Sequence, residues 1–268
     1  MFNTKKLQMK IFLQNTGLLP GSHQYTKFII LGRSRTGSNF LRGLLSSHPE
    51  ILTTGEILRN PDQIDWDSDQ YYVNEQVLNI YQQKPIEFMK KIVFRKFPPQ
   101  IKAVGFKLFY YHAQTEPYNQ IWDFLKKSTE IRIIHIKREN ILKTHLSRAQ
   151  ANRSGSWVNT SGKKEDHGPI FLDPAECLKD FEQTRQWENY YDQFFAGHLI
   201  KQVHYEDLAN NYEPIIQDIQ TFLNVSPHPV KPQTYKQSSK HLSEMITNYD
   251  ELKTKFKDTP WAEFFGDN

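Results

Sequence analysis

One stretch near the amino-terminal end, FIILGRSRTGSNFLRGLL at residues 28–45, constrains the fold of this chain most strongly. It opens with four apolar residues of the kind found in buried strands. A short turn with two glycines follows, and a helical face then carries Phe40, Leu41, Leu44 and Leu45. A strand that passes through a tight turn directly into a helix is typical of proteins in which strands and helices alternate.

The rest of the chain repeats this alternation. Apolar runs with the length of strands lie at 103–111, 131–136 and about 199–205. Helical patterns lie between or after them, at 121–125, 141–149, 178–195 and 215–223. With 268 residues, of which 38% are hydrophobic, the chain can bury a sizeable core. We therefore expect a single α/β domain, a P-loop-like fold with a central parallel β-sheet flanked by helices.

Two segments fall outside this pattern. The first 26 residues are expected to be an N-terminal extension, which leaves 27–268 as the domain. Residues 150–174, QANRSGSWVNTSGKKEDHGPIFLDP, are mostly small, polar and charged and have no helical period. A connection of this length is typical either of a mobile lid over a site or of a disordered surface insertion.

Composition limits the partners and the compartment. The 34 basic and 30 acidic residues are interspersed, so the formal charge of +4 favours an anionic partner weakly and does not indicate a nucleic-acid binder. Cys177 is the single cysteine, which excludes an intrachain disulfide and suits a reducing compartment. No stretch approaches the ~20 apolar residues of a membrane span. We therefore expect a cytoplasmic protein, and its oligomeric state is left open.

The turn after the first strand has the glycine spacing of a phosphate-binding loop. Gly32 and Gly37 are separated by four residues. In nucleoside triphosphatases a lysine follows the second glycine and reaches the phosphates, and the next Ser or Thr binds Mg²⁺. Ser38 and Asn39 occupy those two positions here. The usual apparatus for a triphosphate and its metal is therefore missing.

Two arginines lie inside the same turn, at Arg33 and Arg35. A guanidinium is planar and carries several donors, so it can orient a tetrahedral oxyanion without a metal. The amides at the start of a helix favour an anion at the same place. The loop therefore predicts a site for an oxyanion that requires no metal ion.

The segment SRTGSNFL resembles the 5′-phosphosulfate-binding loop of sulfotransferases that use 3′-phosphoadenosine 5′-phosphosulfate (PAPS). In that family a basic residue, a Ser or Thr, a glycine and another Ser or Thr precede a helix. The resemblance implies the sulfotransferase fold. It also implies that the 5′ end of the donor would be bound by the loop, with Arg33, Arg35, Thr36, Gly37, Ser38, Asn39 and Phe40 as candidates.

A second segment, IRIIHIKRENILKTHLSRA, resembles the part of these enzymes that binds the 3′-phosphate. There an arginine at a strand end is followed eight or nine residues later by a serine on the next helix, and Arg138 and Ser147 have that spacing. Further stretches extend the likeness to the bacterial small-molecule and glycolipid branch over about residues 27–258. The resemblance implies PAPS as co-substrate, adenosine 3′,5′-bisphosphate (PAP) as product, and no metal requirement.

The implied reaction moves a sulfuryl group in line to a hydroxyl of a small molecule, a natural product or a glycolipid head group. By analogy with phosphoryl transfer, the protein has to stabilise charge on the leaving group, for which Arg35 is the first candidate and Lys107 the second. A lysine in the strand GFKLF either faces an anion or lies at a sheet edge in water. Glu56 is the preferred general base, and His112 is the alternative.

Two other function classes stay open from the sequence. One is a P-loop kinase or nucleotide hydrolase with a degenerate loop, which would bind ATP with Mg²⁺. The other is a binding protein that keeps the nucleotide fold without catalysis. The resemblance favours a sulfotransferase of secondary-metabolite biosynthesis over both.

Overall fold

The computed structural model describes residues 2–157, 168–232 and 241–266, apart from the side chains of residues 2 and 3. Its centre is a sheet of five parallel strands, β1 (Thr26–Gly32), β2 (Ile51–Thr54), β3 (Ala103–Phe109), β4 (Arg132–Lys137) and β5 (Ile200–His204). The strands are ordered β2-β3-β1-β4-β5. The α/β fold with a central parallel sheet flanked by helices is thereby confirmed.

Helices connect the strands. Those before β4 are α1 (Phe2–Asn15), α2 (Ser38–Ser46), α3 (Glu75–Gln83), α4 (Pro85–Phe88), a π-helical turn (Met89–Val93) and α5 (Gln120–Lys127). Those after β4 are α6 (Ile141–Ser154), α7 (Pro174–Phe194), α8 (Tyr205–Asn210), α9 (Tyr212–Phe222), α10 (Leu242–Met245), α11 (Tyr249–Phe256) and a 3₁₀ turn (Ala262–Phe265). In the part of the chain that is described, no helix has the length and apolar character needed to cross a membrane.

The inner strands β1, β3 and β4 are buried on both faces because they are rich in apolar residues. In β1, Ile29 and Leu31 pack into one core layer with α5 and α7, whereas Phe28 and Ile30 pack into the other with α2 and α9. Strand side chains alternate between faces, so a strand covered on both sides needs an apolar residue at every position. This accounts for the FIIL run that predicts β1.

Strand β2 was not predicted. It has four residues, ILTT, all of them buried, and it pairs only with β3 at one edge of the sheet. Two apolar residues followed by two threonines are too few to give a recognisable period. Its position matters, because the segment that follows it, beginning with Gly55 and Glu56, enters the candidate site.

The first 26 residues and residues 150–174, which fall outside the predicted alternation of strands and helices, both contain helical structure. Before β1 the chain forms α1, and Ser22 then forms an antiparallel bridge with Phe97. At the predicted lid, α6 continues to Ser154 and α7 begins at Pro174, so both ends of 150–174 are helical. Residues 158–167 in the middle of that segment lie outside the described residues.

Candidate active site

The turn between β1 and α2 is held in a tight shape. Gly37 has φ +83°, and a Cβ added there would lie 2.2 Å from the ring of Tyr205, so no other residue fits without displacement. Arg35 also has a positive φ, 69°. The hydroxyl of Thr36 donates to the carbonyl of Arg33 at 2.7 Å and closes the turn. The buried Thr36 and Ser38 thus lie at the amino-terminal end of α2, where helix amides favour an anion.

The second predicted segment meets this loop. Helix α6 begins after Asn140, whose side chain caps it by accepting from the amide of Lys143 at 3.0 Å. Arg138 leaves the end of β4 just before this cap, and Ser147 lies two turns into the helix. The Nε of Arg35 donates to the hydroxyl of Ser147 at 2.8 Å. The guanidinium of Arg138 donates to the carbonyl of Arg35 at 3.2 Å. Two segments about 100 residues apart in sequence therefore form one cluster.

This cluster holds two partly buried positive charges close together. Burial is the main cause that lowers the pKa of Arg35, and the charge of Arg138 lowers it further. Burial also lowers the pKa of Arg138, which Tyr205 and Glu206 partly offset. The Nε of Arg138 lies 3.9 Å from Glu206 and has no hydrogen-bond partner among the described residues. An anion between these side chains would reduce the repulsion between the two guanidinium groups and would accept a hydrogen bond from the Nε of Arg138.

A second cluster forms at the ends of β2 and β3. The ammonium of Lys107 lies 3.0 Å from Oε1 of Glu56 and also donates to Oδ1 of Asn39. Lys107 is 3% exposed, and burial lowers its pKa although the charge of Glu56 opposes this. A lysine facing water is thus excluded, and the ammonium from β3 contacts the first turn of α2.

His112 lies on the other side of the Glu56 carboxylate. Its Nε2 is 3.5 Å from Oε2 of Glu56, and its Nδ1 accepts the amide of Phe109 at 3.2 Å. Burial is the main cause that lowers the pKa of His112 to about 4, and Lys107 contributes in the same direction. The ring is therefore neutral near pH 7. Because Nδ1 accepts a hydrogen bond, the proton of the neutral ring is on Nε2.

The two remaining loop candidates have contacts elsewhere. The guanidinium of Arg33 forms an ion pair with Asp180 and donates to Thr184, both in α7. Phe40 packs at the edge of the core against Tyr212, with ring centroids 6.1 Å apart. Arg33 therefore contacts α7, whereas Arg35 contacts Ser147 in α6.

Asp180 is surrounded by three basic groups. His145 lies 3.1 Å from its carboxylate, and Arg33 and Arg148 form ion pairs with it. Burial alone would raise the pKa of Asp180, but the hydrogen bond from His145 and the charges of Arg148 and Arg33 lower it to about 2. The carboxylate therefore stays ionised and fixes α6 and Arg33 to α7.

Sequence reasoning missed several residues that complete the site. The guanidinium of Arg138 lies 4.5 Å from the ring of Tyr205, and Glu206 is the carboxylate nearest to it. Both follow β5 in the segment VHYED. Their position at the carboxyl end of a parallel strand is the sequence signal that could have identified them as site residues. The carbonyl of Trp157 accepts from Arg35, a backbone contact that has no sequence signal. Within the described ranges, no group of three or more His, Cys, Asp or Glu side chains is arranged to hold a metal ion.

The ion pairs of Asp180 give a pH-dependent contribution to stability. Its pKa is lower in the folded chain than the ~3.9 of an unfolded one, so its contribution is present above about pH 4 and is lost as the pH falls towards about 2. We expect Asp180→Asn to lower the free energy of unfolding by about 1–3 kcal/mol near pH 6. In urea titrations this deficit should shrink as the pH falls from about 4 to about 2.

The exposed Asp258 offers a matched control. Asp258→Asn should change the free energy of unfolding by less than ~0.5 kcal/mol over the same pH range. A deficit of Asp180→Asn that stays constant with pH would show that the carboxylate is not held ionised by its neighbours.

Two curated relatives match most of the chain. The chain is 24% identical to Nodulation protein H of Rhizobium tropici over 243 residues, which cover 89% of this chain and 92% of that protein. It is 24% identical to Nodulation protein H of Rhizobium meliloti (strain 1021) over 245 residues, with 89% and 94% coverage.

Two solved structures also match. One is a sulfotransferase from Alicyclobacillus acidocaldarius, with a TM-score of 0.48, 16% identity and coverage of 89% of this chain and 93% of that chain. The other is mouse sulfotransferase SULT7A1 complexed with PAP, with a TM-score of 0.39, 14% identity and coverage of 90% and 88%. The family model described as "Sulfotransferase family" matches residues 27–229, which confirms the resemblance seen in the sequence: the chain belongs to the sulfotransferase family.

Proposed function

We propose that this enzyme transfers the sulfuryl group of PAPS to a hydroxyl of a small acceptor. The observation that carries the proposal is the hydrogen bond from Arg35 to Ser147, with Arg138 bound to the carbonyl of Arg35. It joins a loop suited to a 5′-phosphosulfate to a strand end and helix suited to a 3′-phosphate. A donor with phosphate groups at both ends of its ribose matches this pair of sites.

The chemistry of the loop supports a nucleotide bound without metal. The side-chain oxygen of Asn39, at the position of the usual Mg²⁺ ligand, accepts from Lys107. This ammonium from β3 lies close to the turn that lacks a lysine after Gly37. A kinase or nucleotide hydrolase acting on ATP with Mg²⁺ is therefore the less favoured proposal.

The residues of the proposed donor site divide into two groups. The 5′-phosphosulfate would be held by the loop amides with Arg35, Thr36, Gly37, Ser38 and Asn39, and the 3′-phosphate by Arg138 and Ser147. Arg33 and Phe40 would support the donor site without contacting the donor. Arg33 holds the loop to Asp180, and Phe40 holds α2 to Tyr212.

Catalysis would then consist of positioning and charge stabilisation. As the acceptor oxygen bonds to sulfur and the bond from sulfur to the bridging oxygen breaks, negative charge develops on the nucleotide side. We propose Arg35, in the loop before α2, and Lys107, which contacts Asn39 in the first turn of α2, as the cations that stabilise it. Lys107 is buried, so its charge acts in a medium where electrostatic interactions are stronger than in water.

Glu56 is our proposed general base. Its side chain is 22% exposed, so it can reach an acceptor from solvent, whereas that of His112 is 2% exposed. The neutral His112 carries its proton on Nε2 and presents a donor, not a lone pair, towards Glu56. His112 is therefore better suited to orient the carboxylate, and Glu56 to take the proton of the acceptor hydroxyl.

The acceptor is proposed as a hydroxyl of a small metabolite, a natural product or a glycolipid head group. Tyr111 is 42% exposed, and its ring lies 6.0 Å from that of Trp187. The ring of Tyr111 also lies 5.2 Å from that of His112, which neighbours Glu56, so this aromatic pair is near the proposed base. We also propose a cytoplasmic location and a role in secondary metabolism, with 27–268 as the catalytic domain.

Removal of the arginine at the end of β4 tests the donor site. We expect Arg138→Ala to raise the Kd for PAP by ~10–100-fold, because a charged hydrogen-bond partner of the nucleotide is lost. Isothermal titration calorimetry measures this without an acceptor. Lys255→Ala, which removes an exposed cation from α11, should leave the Kd unchanged. Equal affinity of Arg138→Ala and the parent chain would refute the 3′-phosphate assignment.

Turnover separates the two candidate bases. Glu56→Gln should lower kcat by ~10²–10⁴-fold, because the amide cannot accept the acceptor proton. The Kd for PAP should change less than ~threefold. His112→Ala should lower kcat by roughly tenfold or less, since a positioning residue is lost. The assay uses labelled PAPS with a panel of hydroxylated acceptors, and the reverse order of the two effects would assign the base to His112.

A further inference from the structure

Helix α1 has one face that the protein covers and an opposite face that carries exposed apolar side chains. Ile11 and Gln14 are buried, 9% and 3% exposed, and Leu7 lies on the same face one turn earlier. On the other side, Met9 and Phe12 are each 58% exposed. An amphipathic helix at a protein surface normally presents polar residues to water. The outer face of α1 departs from this rule.

Two more exposed apolar residues follow the end of the helix. Leu18 is 71% exposed and Leu19 is 38% exposed. Of the ten large hydrophobic side chains that are exposed in the described residues, these four lie within eleven residues of one another. Single exposed apolar residues are normal, but a cluster of this kind marks an interaction surface. We refer to residues 5–19 as the N-terminal patch.

Charge indicates what covers the patch. Lys5, Lys6 and Lys10 are all exposed in α1, and the first acidic residue of the chain is Glu50. Lys5, Met9 and Phe12 share a helix face because their spacings are four and three residues. A second copy of the chain would bring the same lysines against each other. An anionic surface that also accepts apolar side chains satisfies both features of the patch.

We propose that the N-terminal patch binds the surface of an anionic lipid membrane. Helix α1 would lie in the plane of the interface, with Met9, Phe12, Leu18 and Leu19 inserted among the acyl chains. The three lysines would extend their apolar stems and bring their ammonium groups to the lipid phosphates. The rest of the protein would stay outside the bilayer, held through the covered face of α1.

Vesicle sedimentation with the full chain tests this proposal. We expect binding to vesicles of phosphatidylcholine with 30% phosphatidylglycerol and little binding to phosphatidylcholine alone. Binding should weaken as NaCl rises, because salt screens the lysines. Lys5→Gln with Lys6→Gln should weaken binding roughly fivefold for each lysine. Met9→Ser with Phe12→Ser should weaken it by at least as much, since inserted apolar area is lost.

Two control variants lie away from the patch. Lys253→Gln with Lys255→Gln removes two exposed lysines of α11, and Leu199→Ser removes a side chain that is 60% exposed. Both should bind vesicles as the parent chain does. The proposal fails if anionic vesicles are not bound, if neutral vesicles bind equally, or if the patch variants bind normally. A dimer in light scattering that Met9→Ser with Phe12→Ser dissociates, without vesicle binding, would instead assign the patch to self-association.

Discussion

The hydrogen bond between Arg35 and Ser147 is the interaction on which the site depends. It connects the loop after β1 to helix α6, and Arg138 extends the connection to the end of β4. Arg35 adopts a left-handed backbone conformation, and its pKa is lowered mainly by burial. A partly buried cation next to another cation is costly unless an anion is bound. We therefore propose that this geometry is preorganised for an anion.

The parallel sheet explains how residues so distant in sequence meet. In such a sheet the carboxyl ends of all strands lie at one edge, and each of the five strands supplies part of the site there. The loop follows β1, Glu56 follows β2, and Lys107 lies near the end of β3. Arg138 follows β4 and Tyr205 follows β5. Sulfuryl transfer requires positioned charges more than reactive groups. This edge of the sheet provides such charges.

The sequence predicted the elements whose signal is local. Strands β1, β3 and β4 were recognised because buried parallel strands are rich in apolar runs, and β5 was recognised from a mixed run. The short edge strand β2 was missed because four residues show no period. The resemblance singled out Arg35 for the leaving group, but the sequence indicated no partner for either Arg33 or Arg35. Their separate partners, Asp180 and Ser147, lie more than 100 residues away and are visible only in the tertiary structure. The contact between Lys107 and Asn39 was inaccessible for the same reason.

The comparison of PAP with 5′-AMP in isothermal titration calorimetry tests the central claim most directly. The two ligands differ by the 3′-phosphate that Arg138 and Ser147 are proposed to bind. We expect PAP to bind at least tenfold more tightly, with no change when EDTA is added, because two charge-assisted contacts are gained without a metal. Equal affinity for PAP and 5′-AMP, or tighter binding of ATP with Mg²⁺, would contradict the account.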